Sequence, residues 1–283
     1  MQVARVPQGI QHAVLLIPGL CGTSLELGTI PSLLSSNGFY VETLQIDGYT
    51  SPILDTKRIN WSEWLEILDD RVTQLLQEYK TVNLVGLSMG ATLALTASIQ
   101  RSDITSIVVL SPVLQYDGWA MRWWNELMII PYMLGFKNWS YREKDPFGIK
   151  NLELRKRIKK TLLTESVSAV GAQSISARHL FQARKLMAYV KGRLGAVKSD
   201  LLAIHAIDDE TAAPKNTEQI LKMISSQLRK VIWLGNSYHI ITVDNEREIV
   251  AMQTVKFIKN VTNMNDQDKY VDKQAKLKNR PRT

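Results

Sequence analysis

Gly86-Leu87-Ser88-Met89-Gly90 sets a serine between two glycines, directly after the apolar run Val82–Val85 and directly before the helix-forming run Ala91–Gln100. A strand, a tight turn and a helix in that order lift a serine hydroxyl above a sheet, with a helix N-terminus behind it. So sharp a turn needs glycine on both sides, because a Cβ at either position would crowd strand and helix. The chemistry would be attack by Ser88 Oγ on a carbonyl carbon, with the Met89 amide directed at the oxygen as it gains charge.

Such a serine needs a base, and four histidines compete for the role. His12 opens a strand at the end away from Ser88, His205 lies inside a strand, and His179 falls on a predicted helix. His239 alone sits in a loop just past a strand end (Val231–His239), on the side where α/β sheets place their sites. An acid should follow the serine and precede the histidine in chain order, again past a strand end. The run Leu201–Ile207 ends in Asp208-Asp209-Glu210, so the acid is one of these three and the other two read as a solvated loop cluster. A second oxyanion donor should come from the glycine-bearing turn Ile17-Pro18-Gly19-Leu20-Cys21-Gly22, and Leu20 N–H is the candidate. No histidine adjoins Cys21 in the sequence, and it reads as a bystander thiol.

These residues need a scaffold that points strand ends at one place. Apolar runs at His12–Ile17, Phe39–Ile46, Thr81–Val85, Ile104–Leu110, Asp200–Ile207 and Arg229–Leu234 read as strands. Amphipathic or apolar stretches at Trp61–Tyr79, Met89–Gln100, Pro214–Ser225 and Asn245–Asn260 read as helices. The alternation predicts a mostly parallel α/β sheet flanked by helices. It stops between Asp117 and Lys198, so residues 1–116 and 199–262 form the predicted core and 117–198 a helical insertion. Residues 263–283 are polar and aperiodic, a tail expected to be disordered or frayed.

Four segments taken together resemble bacterial carboxylesterases related to monoacylglycerol lipases, members of the α/β-hydrolase fold. They are His12–Gly22, Val82–Leu95, Ala206–Pro214 and Asn236–Asp244. The resemblance spans roughly residues 12 to 260. It implies that the acid is the aspartate five residues ahead of a proline, which is Asp209 ahead of Pro214. It also maps the oxyanion donors onto Leu20 and Met89, and it makes the insertion a cap over the site. Two departures stand out. Many relatives have His-Gly where this chain has Pro18-Gly19, and many have glycine before the histidine where this chain has Tyr238. The second puts a phenol beside the base and makes Tyr238 a pocket candidate.

Composition has a globular balance: 45% of the 283 residues are apolar and 22% charged. A single cysteine rules out an internal disulfide, and scattered histidines with no His-x-x-Glu-His or Cys-x-x-Cys pattern predict neither metal nor cofactor. The chain carries no run of about 18 apolar residues and no charged-then-apolar leader, so the expected address is the cytoplasm. The net charge of +8 is concentrated in residues 117–198, where 16 Lys and Arg face 6 Asp and Glu. Arg155, Lys156, Arg157, Lys159 and Lys160 suit either a solvated helix face or attraction to an anionic membrane surface or an anionic substrate. No nucleic-acid-binding module is present. Trp123, Trp124 and Met128 in the insertion are the expected lining of an acyl pocket. The reading is a serine hydrolase of small-molecule acyl esters. Thioesterase, amidase or acyltransferase chemistry would use the same residues, and a non-catalytic binding protein on this scaffold is the remaining rival. Oligomeric state is not encoded in any of these signals.

Overall fold

The computed structural model describes residues 9–50, 60–121, 129–142, 144–164, 167–168, 171–172 and 174–278, with the side chains of the last helix described to residue 263. Six strands form the central sheet: β1 (His12–Ile17), β2 (Tyr40–Thr43), β3 (Thr81–Leu87), β4 (Ser106–Leu110), β5 (Asp200–Ala206) and β6 (Arg229–Leu234). Their order is β6-β5-β4-β3-β1-β2, and each neighbouring pair is parallel. Every residue of β3 and β4 is buried, which is why those strands read as continuous apolar runs rather than alternating ones. The edge strand β6 exposes Val231 and Trp233.

Two apolar layers sandwich the sheet. On one face α2 (Trp61–Glu78) buries Trp64, Leu65, Leu68, Val72 and Leu75, the stripe its helical spacing predicts. Its start is fixed by a capping box between Asn60 and Glu63. Beside it α3 (Met89–Gln100) is buried on every side from Met89 to Ser98, with the hydroxyls of Thr92, Thr96 and Ser98 hydrogen-bonded. The other face packs Leu27, Ile30 and Leu34 against Val250, Ala251, Val255 and Ile258 of the last helix. Helix α1 (Ile30–Ser36) is too short to show a period in the sequence.

Between β4 and β5 the chain builds α4 (Ile129–Met133), α5 (Leu152–Thr164) and α6 (Ala177–Lys191). The segment also holds two short antiparallel pairs, Ser140–Arg142 with Ser174–Ser176 and Val167–Ser168 with Gly171–Ala172. Strands of two or three residues leave no periodic signal, so the sequence predicts helices alone there. Helix α6 packs on α3. Past β5, α7 (Lys215–Met223) and α8 (Arg247–Lys278) complete the chain. The apolar period bounds the last helix at Asn260, whereas its backbone continues to Lys278. Among the described residues no helix is long and apolar enough to cross a membrane.

Candidate active site

The turn between β3 and α3 has the shape its glycines predict. Ser88 takes φ 56° and ψ −118°, a left-handed conformation for a residue with a side chain. Its amide donates to the Leu110 carbonyl at 2.8 Å, tying the turn to β4. A Cβ on Gly86 would overlap the Gly90 carbonyl, and one on Gly90 would overlap the Ile17 and Pro18 carbonyls. Both glycines are therefore required by close backbone approach.

The structure brings Ser88, His239 and Asp209 into one chain of hydrogen bonds. His239 Nε2 lies 2.8 Å from Ser88 Oγ, and His239 Nδ1 lies 2.7 Å from Asp209 Oδ2. Asp209 Oδ1 accepts the amides of Thr211 and Ala212, both at 2.8 Å. Its carboxyl is fully buried, and burial alone would raise its pKa. The charge of His239, the hydrogen bonds from His205 and His239, and the charge of His205 outweigh burial and hold it well below the usual carboxylate range. An ionised Asp209 fixes the tautomer: Nδ1 carries the proton and Nε2 is left to accept the serine proton.

Three consecutive amides hold the histidine loop. Tyr238 N–H donates to Asp244 Oδ2 at 2.8 Å, His239 N–H to Glu210 Oε2 at 3.1 Å, and Ile240 N–H to the Gly148 carbonyl at 2.9 Å. Asp244 also accepts the amides of Lys150, Asn151 and Asn245. One buried carboxylate thus joins the histidine loop to the segment between β4 and β5.

The other two acids of the Asp208–Glu210 run part company. Asp208 is more than half exposed and pairs with Lys150 Nζ at 2.8 Å, as a solvated loop residue would. Glu210 is instead buried, lines the cavity above Ser88 and takes the Thr211 hydroxyl at 3.0 Å. Burial and the neighbouring Asp209 charge raise its pKa. The expectation of a solvated Glu210 is corrected here, because the Thr211 turn folds its side chain inward.

Leu20 lines the same cavity, and Met89 is the first residue of α3, whose amide has no acceptor within its own helix. The loop bearing Leu20 is held from both ends. Tyr49 Oη donates to the Pro18 carbonyl at 2.9 Å, and Cys21 N–H donates to the Tyr49 carbonyl at 2.7 Å. Gly19 N–H donates to Glu26 Oε1. Tyr49 and Glu26 escape sequence reasoning, and Glu210 enters it only as one of three candidate acids. The only trace of Glu26 is an acid set between apolar neighbours, Leu25-Glu26-Leu27, four residues after a glycine.

Of the expected pocket residues, Trp123, Trp124 and Met128 lie outside the described residues. Tyr238 faces elsewhere: its ring meets Trp119 edge-on at 5.6 Å, with Lys150 Nζ 5.5 Å and Arg155 Cζ 5.8 Å from its centroid. Turned into that cation-rich stack, it does not line the cavity as expected. Phe147, Gly148, Ile175 and Tyr116 do. His205 is buried in β5, as a packed histidine should be, although its Nε2 reaches Asp209. Ser176 caps α6 by accepting the His179 amide at 3.4 Å, and His179 Nε2 bonds the Gly48 carbonyl at 2.7 Å. Among the described residues no group of His, Cys, Asp and Glu could hold a metal ion.

This sheet order, with a serine on the β3–α3 turn and an acid and a histidine past β5 and β6, is the α/β-hydrolase fold. The family model described as Hydrolase_4, serine aminopeptidase, S33, matches residues 8–247, and the chain belongs to that family. A thermostable monoacylglycerol lipase from Bacillus sp. is 24% identical over 86% of this chain and 89% of its own. A carboxylesterase from Bacillus subtilis is 20% identical over 89% and 94%. Among solved structures, a soluble variant of monoglyceride lipase from Saccharomyces cerevisiae, in complex with a substrate analog, superposes with a TM-score of 0.76 at 17% identity, covering 92% of this chain and 89% of its own.

Proposed function

We propose that this protein hydrolyses carboxylic esters through an acyl-enzyme on Ser88. The observation that carries the reading is the unbroken path from Ser88 Oγ through His239 to Asp209, at 2.8 and 2.7 Å. His239 takes the serine proton as Oγ attacks the ester carbonyl, Asp209 stabilises the imidazolium, and the Leu20 and Met89 amides receive the oxyanion. The imidazolium protonates the departing alcohol. A water activated by His239 then releases the acid and returns the serine. Relatives named as a monoacylglycerol lipase and a carboxylesterase favour esters over amides.

The segment 117–198 serves as the cap in this reading. Its Phe147, Gly148 and Ile175 border the cavity, and Gly118 packs so tightly on Glu210 that a Cβ there would overlap it. The basic run divides: Arg155 is turned inward onto the Ile149 carbonyl, while Lys156, Arg157, Lys159 and Lys160 face out. Together with exposed Met133, Leu134 and Phe136 on the same segment, these outward cations support peripheral contact with an anionic lipid surface.

The test is hydrolysis of p-nitrophenyl esters from acetate to palmitate by wild type and Ser88→Ala. Serine-dependent turnover is expected, with a chain-length optimum that reports the depth of the acyl pocket. Turnover of amino-acyl p-nitroanilides with none on any ester would replace this reading by an aminopeptidase.

A further inference from the structure

Glu26 is a charged residue type buried to 2% exposure in a four-residue 3-10 helix, Ser24–Leu27, that follows the Leu20 turn. Ser88, His239 and Leu20 line the cavity with it. The turn folds around its carboxyl: Gly19 donates its amide to Oε1, and Gly22 lies so close that a Cβ there would overlap the carboxyl carbon. From the other side, the Thr242 hydroxyl donates to the Glu26 carbonyl. A Cβ on Gly28, which has φ 57°, would overlap the Thr242 carbonyl. The Glu26 backbone is thereby locked to the histidine loop, and its side chain to the turn that carries Leu20.

We propose that Glu26 is a positioning residue for acyl transfer: its carboxyl fixes Gly19 and so aims the Leu20 amide at the oxyanion. This inference rests on the ester-hydrolase reading. Gly19 has no Cβ to restrict rotation, and both peptides that meet at it are held: its amide by the Glu26 carboxyl, and its carbonyl, on the peptide that carries the Leu20 amide, by the Gly22 amide at 3.0 Å. A misplacement of about 1 Å at such a donor costs on the order of 10²-fold in rate. The charge state is compatible with the role. Burial raises the Glu26 pKa to about 7, against the opposing Gly19 bond and the nearby His239 charge. A carboxyl that keeps its proton through mildly acidic pH places no full negative charge beside a developing oxyanion.

The experiment measures kcat and KM on p-nitrophenyl butyrate at pH 6 for wild type, Ser88→Ala, Glu26→Gln and Glu26→Ala, each checked by thermal unfolding. Glu26→Gln keeps a carbonyl oxygen for Gly19 and is expected to stay within about threefold of wild type. Glu26→Ala is expected to lose on the order of 10²-fold in kcat with KM moved less than about threefold, the mark of a defect felt in the transition state. Should Glu26→Ala fail to fold, Glu26→Met fills the space without a strong acceptor, and the same loss is expected. Wild-type kcat in the Ala or Met variant overturns the inference, as does a Gln variant that falls as far as Ala. Wild type without Ser88-dependent turnover removes the hydrolase reading and this inference with it. Any other overturning result leaves the hydrolase reading standing.

Discussion

His205 Nε2 lies 3.2 Å from Asp209 Oδ2, the same oxygen that holds His239 Nδ1. Two imidazoles, one within β5 and one in the loop past β6, therefore converge on one buried carboxylate. His205 is fixed by the Thr217 hydroxyl at 2.7 Å and the Ala212 carbonyl at 2.9 Å, so it behaves as a wall behind Asp209. His205→Ala should lower stability by about 1–3 kcal/mol, since it leaves buried polar groups unpaired. It should also lower kcat, though by less than the loss of Asp209 itself. Denaturant unfolding and ester kinetics on the same sample check both expectations.

Asp209 and Asp208 give a sharper contrast. Asp209→Asn should cost on the order of 10⁴ in kcat, because an amide no longer holds the tautomer that leaves Nε2 free. Asp208→Asn removes one exposed ion pair with Lys150, worth about 0–1 kcal/mol, and should leave kcat within a few-fold of wild type. Equal losses in the two variants would contradict the assignment of the acid.

Stability should fall with rising pH through Glu26. Its folded value of about 7 lies above the ordinary 4.5, so the folded state favours the protonated form. The stability this contributes is fully present below 4.5 and is lost as pH rises through 7, by about 3 kcal/mol in all. His239 and Tyr49 face the same carboxyl. Glu26→Gln carries no such charge, and its unfolding free energy relative to wild type should therefore climb by roughly 2–3 kcal/mol between pH 5 and pH 8. A constant difference across that range would show that burial does not hold the proton.

At the elbow, the backbone approach leaves no room for a methyl group. Gly90→Ala meets the Ile17 and Pro18 carbonyls, backbone atoms at the end of β1 and just past it that cannot move aside as a flexible side-chain tip would. Expression as insoluble protein, or destabilisation by at least about 3 kcal/mol, is expected by circular dichroism and urea unfolding.

What could be read from the chain follows from how local each signal is. The glycines flanking Ser88 and the apolar strands are contiguous features, and they locate the elbow and the strand ends to within three residues, the largest miss being the end of β2. His239 was legible because its loop follows a strand end. Glu26 was not, since its burial depends on Gly19, Gly22 and Thr242, the last of them 216 residues away. Glu210 was misjudged for a related reason: next to Asp208 it looks like part of a polar loop, and only the fold turns it toward His239. Tyr238 was expected in the pocket from its neighbour in sequence, whereas adjacent residues in a held loop point apart. The end of α8 escaped because a helix without an apolar stripe carries no period to detect.

Labelling with a fluorophosphonate tests the central claim most directly. Intact-mass measurement of wild type should show one adduct, mapped by peptide analysis to the segment containing Ser88, with none on Ser88→Ala and slow labelling of His239→Ala. A stable fold with no adduct on wild type, or an adduct that persists in Ser88→Ala, would contradict Ser88 as the nucleophile.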